Sequence, residues 1–312
     1  MTGPEWRWAC PACRAVLVAD GPDGPDGPDA LACPSCAARY GCVDGIGRFL
    51  TDAAVARYER FLAEYEMIRR AEGRGSTDPA YYRDLPVVAD DDPLHDQWRM
   101  RATSWRHARR LVLEGRTTPA RVLDLGAGLG WLSHQIARAG HHPVAVDLSV
   151  DDLDGLGAAR HLDPVWPRVQ AEFDHLPLAD GEADVVIFNA SLHYSVDYAV
   201  TLAEALRVLR ADGALVLMDS PIYRDAEAGR SMVLERQVDF ERRFGTRSNS
   251  VPSIGFLSVA VLDELAAELG VTWQRVTPWY GWRWAVRPWR AKLRRQRERS
   301  RFEVVVGRRR AP

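Results

Sequence analysis

The chain has 312 residues, 46% of them hydrophobic, and a formal net charge of −2. That is an ordinary globular composition, long enough for about two domains. No apolar run approaches the roughly 20 residues of a membrane span, and Met1 to Trp8 lacks the apolar core of a secretion signal, so the cytoplasm is the expected compartment. The charge is uneven: from Trp273 onward there are 13 Lys and Arg against 2 Asp and Glu, leaving 28 against 41 upstream.

In a reducing compartment, five cysteines point to metal or unlinked thiols rather than disulfides. Cys10-Pro11-Ala12-Cys13 and Cys33-Pro34-Ser35-Cys36 lie 19 residues apart, the spacing of a tetrathiolate zinc ribbon, with redox pairs or unligated thiols as the alternative. Four thiolates leave no open position for substrate, so the zinc is structural, and it stabilises a module too short for a sizeable core. Between the knuckles, three Gly-Pro-Asp repeats (21–29) form a solvated hairpin tip. Cys42 is read as a packed strand residue. These features delimit a zinc-ribbon module over residues 1–50.

A helical linker or cap follows over 51–118. Thr51 caps a helix to about Ala71, on which Val55, Tyr58, Phe61, Leu62, Tyr65 and Ile68 recur at three-to-four spacing. A second helix runs from His95 to about Glu114. Arg69, Tyr81, Tyr82, Trp98 and Arg99 are candidates for the substrate side, against the plainer reading of amphipathic helices packing on a sheet.

Residues 119–312 form the third segment. Arg121 to Leu125 reads as a buried strand. The glycines of Gly126-Ala127-Gly128-Leu129-Gly130-Trp131 then turn the chain into a helix over Leu129–Ala139, where backbone can approach a ligand and free N–H groups face it. The spacing is G-x-G-x-G, and Trp131 stands where a dinucleotide fingerprint wants its third glycine. The next strand, His142 to Leu148, carries Asp147 17 residues past Gly130, the place for a carboxylate on a ribose diol. Further along the chain lie a helix over 151–160, strands over Arg168–Ala171, Asp184–Asn189 and Ala214–Met218, and helices over Val196–Leu209, Asp225–Arg243 and from Ser258 or Val259 to Leu269. Strands at Val271–Val276 and Phe302–Gly307 complete a seven-stranded α/β sheet.

Asp124 before the glycines, with Asp147 ending the next strand, resembles the class I methyltransferases that use S-adenosylmethionine (SAM). That resemblance, which covers about Val122 to Asp219, implies a Rossmann-like sheet with the last strand antiparallel. It implies SAM contacts from Asp124, Gly126, Ala127, Gly128, Gly130 and Trp131, and from Asp147 and Leu148 at the ribose. Asp174 would meet the adenine amino group with His175 beside it, and Asn189 and Ala190 would lie near the methionine part. His193 and Tyr194, at the carboxyl end of the fourth strand, would face the transferred methyl, and Gly245–Ser250 would belong to a lid. If the acceptor needs a base, His193 suits neutral pH, with Tyr194, Tyr223 or Asp219 behind it, although such a histidine also serves as a pocket wall. The run Cys33 to Leu50 resembles the small zinc-ribbon proteins that partner and activate methyltransferases, here fused in cis.

The stretch from Trp279 to Arg297 interleaves arginine and tryptophan. Three readings stand: a nucleic-acid groove, a patch for an anionic substrate, carrier or membrane surface, or a solvated hairpin whose tryptophans pack on the sheet edge. The expected function is methyl transfer from SAM to a small-molecule acceptor, with specialised metabolism as a setting. The alternatives are an RNA methyltransferase of the rRNA guanine-N1 kind, whose basic tail would hold RNA, and a SAM-binding interaction partner without turnover.

Overall fold

A computed structural model describes residues 6–21, 30–164, 166–293 and 296–310. The amino-terminal module is built of short strands. β1 (Val18–Ala19), β2 (Leu31–Ala32) and β3 (Arg39–Tyr40) make an antiparallel sheet, and β4 (Cys42–Val43) and β5 (Ile46–Arg48) make a hairpin. Most of the Gly-Pro-Asp run expected as a hairpin tip, residues 22–29, lies outside the described residues. Three helices follow: α1 (Asp52–Ala71), α2 (Pro79–Asp84) and α3 (His95–Val112). Thr51 caps α1 as expected, its hydroxyl oxygen accepting from the Ala54 N–H at 3.2 Å.

The main sheet begins with β6 (Arg121–Leu125), α4 (Trp131–Arg138) and β7 (His142–Asp147), then β8 (Arg168–Gln170), β9 (Ala183–Asn189), α5 (Tyr198–Val208) and β10 (Leu209–Met218). A parallel pair, β11 (Ile222–Tyr223) and β12 (Leu257–Ser258), flanks α6 (Ala226–Phe244). The chain ends through α7 (Val259–Glu268), β13 (Val271–Val276), the short helices α8 (Trp282–Ala285) and α9 (Arg287–Leu293), and β14 (Val304–Arg309). Sheet order is β13-β14-β10-β9-β6-β7-β8-β5-β4. β14 lies antiparallel to both its neighbours, while β10, β9, β6, β7 and β8 run parallel.

The seven strands expected in residues 119–312 are all present, and β5 and β4 of the amino-terminal module extend them to a nine-stranded sheet. β5 pairs parallel with β8, Ile46 opposite Arg168 and Arg48 opposite Gln170, so the amino-terminal module covers an edge that would otherwise present unpaired N–H and C=O groups. Arg7 bonds Glu182 at 2.6 Å, Arg14 bonds Glu204 at 3.3 Å, and Trp8 stacks on Phe49.

Both sheet faces are covered, so the central strands β6 and β9 are apolar on both faces, apart from Arg121 and Asp124 in β6 and Asp184 and Asn189 in β9. Leu123, Leu125, Val186 and Phe188 face one buried cluster, and Val122, Val185 and Ile187 the other. Two expected elements differ. In place of a helix over 151–160, the Asp151 carboxylate accepts from the N–H groups of Leu153 and Asp154, holding a turn, and only Leu156–Leu162 coils as a 3₁₀ helix. In place of an arginine-rich hairpin, α8 and α9 follow Tyr280, which is tied to Ser104 at 2.8 Å. Arg294 and Arg295 lie outside the described residues.

Candidate functional site

The carboxyl ends of β6, β7 and β9 open into a cavity. Gly126 and Ala127 donate to the Val146 carbonyl at 2.8 and 3.0 Å, which pins the loop across the sheet. Gly126 has φ +74°, and a Cβ there would lie 2.2 Å from Ser191 Cβ, so only glycine fits. The Asp147 carboxylate accepts from the N–H of Gly128 at 2.7 Å and of Ser149 at 2.8 Å, which fixes its rim position. Burial raises its pKa despite those bonds.

Gly126, Ala127, Gly128, Trp131, Asp147, Leu148, Asp174, Asn189, Ala190 and Tyr194 line this cavity together. Three other expected cofactor residues do not. Asp124 is buried beneath the loop, where its Oδ2 accepts from the Ser133 hydroxyl at 2.8 Å. Gly130 faces inward, a Cβ there lying 2.7 Å from the Trp166 ring, so it is a packing glycine. The His175 ring is half-exposed and lies 3.7 Å from Glu172. Asp124 Oδ1 and Asn189 Oδ1 are buried without a hydrogen-bond partner, and burial pushes Asp124 up to about 7.

A second cavity adjoins the first, sharing Phe61, Tyr65, Arg69, Arg101, Ala190, Tyr194 and Val251 as a common wall. His193 lines this second compartment, its Nδ1 3.2 Å from Ser220 Oγ and its ring 4.5 Å from that of Tyr194. Burial, helped by the guanidiniums of Arg236, Arg69 and Arg101, pushes its pKa down to about 3, so the imidazole is neutral near pH 7. Asp219 also lines it. One of its oxygens accepts from the Ser104 hydroxyl, the other has no hydrogen-bond partner, and burial raises its pKa. Tyr223 lies in neither lining: it packs against Phe256, and its hydroxyl accepts from Arg297 at 3.3 Å.

The apolar stripe of α1 roofs the first compartment through Tyr58, Phe61, Leu62 and Tyr65. The segment was expected as a helical linker or cap, but none of these four residues was among its candidates for the substrate side. Of the five candidates on the linking helices, Arg69 alone reaches the cavities, where it pairs with Asp154 at 2.9 Å. Tyr82 is fully buried and its hydroxyl donates to the carbonyl of Leu153, while Trp98 Nε1 donates to the Tyr81 hydroxyl at 3.2 Å. Arg99 is exposed. Arg101 was missed: its guanidinium sits 4.8 Å from the Trp98 ring, and among the described residues it has no hydrogen bond or ion pair. Of the loop expected as a lid, 245–250, Arg247, Ser248 and Asn249 line the second compartment, joined by Val251, Pro252 and Ser253 beyond it.

At the amino terminus, one sulfur atom from each of Cys10, Cys13, Cys33 and Cys36 converges within 4.8 Å. Cys10 Sγ and Cys36 Sγ are 3.6 Å apart, and Cys13 Sγ and Cys33 Sγ 3.4 Å. A tetrahedron with zinc–sulfur bonds of ~2.3 Å has edges of ~3.8 Å, so the donor set and its size fit zinc. In the basic tail, several arginines are engaged internally: Arg275 with Glu303 and Arg297 with Glu235, each at 2.7 Å, and Arg309 with the Leu206 carbonyl at 2.6 Å. Trp284 packs on Tyr280 and Phe302, neither of them in a strand of the sheet, while Trp279, Trp282 and Trp289 are exposed. Among the described residues no helix is long and apolar enough to cross a membrane.

Sheet order and the glycine corner together define a class I methyltransferase fold, and residues 123–217 match the family described as a methyltransferase domain. Among curated proteins, the chain is 38% identical over 116 residues to a demethylmenaquinone methyltransferase of Mycolicibacterium vanbaalenii, covering 37% of this chain and 48% of that one. It is 34% identical over 167 residues to a malonyl-[acyl-carrier protein] O-methyltransferase of Geobacter sulfurreducens, covering 49% and 61%. The chain thus spans about half to three-fifths of the length of these relatives. A solved S-adenosylmethionine-dependent methyltransferase from Mesorhizobium loti is 20% identical, with a TM-score of 0.49 over 66% of this chain and 98% of that one.

Proposed function

We propose that the chain transfers a methyl group from SAM to a small-molecule acceptor. The observation that carries this reading is the pairing of two compartments: a glycine-floored one with a fixed carboxylate, and a second joined to it at Tyr194 and Ala190. The first compartment's residues suit SAM. Asp147 would hold the ribose hydroxyls and Asp174 the adenine amino group, since each offers acceptors. The unpartnered Oδ1 of Asn189, which lines this compartment, suits a methionine ammonium. Arg101, on the common wall, suits the methionine carboxylate. When bound, SAM supplies an activated methyl whose departure leaves a neutral thioether, so no general acid is required.

What remains for the protein is orientation and exclusion of water. The α1 stripe and the 247–253 loop cover the two compartments, and Tyr194 stands where they meet. His193, held neutral, is a hydrogen-bonding wall and a poor proton acceptor. Where the acceptor atom carries a proton, Asp219, with its raised pKa and unpartnered oxygen, is better suited to take it. Tyr223 has no part in this scheme. The four cysteines would hold a structural zinc, fixing the module that extends the sheet.

The internal engagement of Arg275, Arg297 and Arg309 favours a small acceptor over RNA. Incubation with methyl-labelled SAM and a fractionated cell extract tests this: label should enter a low-mass fraction. Label recovered in RNA, or retained on SAM with every fraction, would refute it.

A further inference from the structure

Arg236 lines the second compartment and not the first. Its helix, α6, carries four acids, and each is already engaged: Glu227 with Arg230, Glu235 with Arg297, Asp239 with Arg242 and Arg243, and Glu241 with Arg247. Among the described residues Arg236 forms no ion pair and donates no hydrogen bond. The other arginines of this compartment are accounted for, Arg69 by Asp154, Arg74 by Glu72 and Arg247 by Glu241, with Arg101 on the cofactor side. Two guanidiniums are left without an anion, Arg101 and Arg236, and of these Arg236 alone is confined to the second compartment. The Arg236 guanidinium lies beside Gly255, where an added Cβ would come within 3.1 Å of its Nη2, and the Gly255 N–H donates to the His193 carbonyl at 2.8 Å. Arg236 and His193 thus stand on one wall.

The surroundings narrow what it holds. Phe61, Tyr65, Met100, Phe240 and Phe302 supply an apolar and largely aromatic surface. Asp219 shares the compartment, so a doubly charged anion there would meet repulsion, whereas a single charge on a planar fork matches one guanidinium. Resting on the methyltransferase reading above, we infer that the acceptor is a carboxylic acid with an apolar body, its carboxylate bound by Arg236. The methylated atom then lies at the other end of the molecule, toward Tyr194.

Matched acid and amide pairs test this on the full-length protein saturated with S-adenosylhomocysteine: benzoate with benzamide, phenylacetate with phenylacetamide, and hexanoate with hexanamide, with phenyl phosphate beside them. Binding is read by calorimetry or competition. The expected result is at least tenfold preference for the acid in one or more pairs, lost in Arg236→Gln and partly kept in Arg236→Lys, with S-adenosylhomocysteine affinity unchanged in both. Three results overturn the inference while leaving the methyltransferase reading intact: no acid preference in any pair, the same preference in Arg236→Gln, or phenyl phosphate bound more tightly than benzoate. Failure of the wild type to bind S-adenosylhomocysteine would sink both.

Discussion

Replacing Gly126 by Ala is expected to damage stability and cofactor affinity together, whereas Gly130→Ala should damage stability alone. Gly126 has φ +74°, which costs an L residue roughly 1–2 kcal/mol. The new Cβ would also meet Ser191 Cβ at 2.2 Å. Ser191 cannot easily give way, because its hydroxyl donates to the Leu125 carbonyl at 2.5 Å. Overpacking of this kind costs about 1–3 kcal/mol. The sum is about 3 kcal/mol, or roughly 6–9 °C in Tm at about 2–3 °C per kcal/mol. Because Gly126 floors the cofactor compartment, S-adenosylhomocysteine binding should weaken at least about tenfold, or ~1.4 kcal/mol.

Gly130, at φ +82° and 2.7 Å from Trp166, should lose similar stability, but its Cβ would point away from the cavity and affinity should stay within about twofold. Adding Ser191→Gly to Gly126→Ala should restore the part due to collision and leave the backbone part. Differential scanning fluorimetry and calorimetry read both quantities. A Gly126→Ala protein melting within about 1 °C of wild type, or a Gly130→Ala protein equally impaired in binding, would refute the reasoning.

Asp147→Ala should weaken S-adenosylhomocysteine by at least about tenfold and leave Gly128 N–H without its acceptor; equal affinity by calorimetry would count against the ribose assignment. Zinc should be found at about one equivalent per chain by elemental analysis, and Cys33→Ser should lose it and lower Tm; metal-free protein with unchanged Tm would contradict a structural zinc. The His193 pKa is depressed in the folded state to about 3, so the unfolded chain binds the extra proton first. Stability is therefore lost as pH falls below the unfolded value near 6.5, by about 2 kcal/mol between pH 7 and pH 5. His193→Gln should remove that slope, seen as a flatter Tm–pH curve than wild type. Total RNA should show no salt-sensitive binding; steep salt-dependent binding in a filter assay would favour the RNA alternative.

The sequence exposed what is local. Strand β6, the glycine turn and β7 follow one another within 27 residues, so the loop and Asp147 are legible from spacing alone, as are the paired cysteine knuckles. The helix cap at Thr51 was readable for the same reason, and the helix starts read at Asp225 and Ser258 fall on capping residues. What the sequence hid depends on distant partners. The apolar stripe of α1 has the period of a packing face, and only its position over the glycine loop makes it a roof. Asp124 has the family position for a cofactor contact, yet the sheet buries it under the loop, with one oxygen on Ser133. Gly130 belongs to the glycine pattern, but Trp166, 36 residues on, is what requires it. Arg236 is one of 41 basic residues and stands apart only once its neighbours' ion pairs are known. Pairing of β5 with β8 joins residues more than 120 positions apart, and no local pattern could announce it.

Whether the glycine-floored compartment takes an adenosyl sulfonium is tested most directly by equilibrium dialysis of the purified chain against radiolabelled SAM. One molecule retained per chain, displaced by S-adenosylhomocysteine and released by Asp147→Ala, is the predicted result. Retention indistinguishable from buffer, or binding that Asp147→Ala leaves untouched, would contradict it.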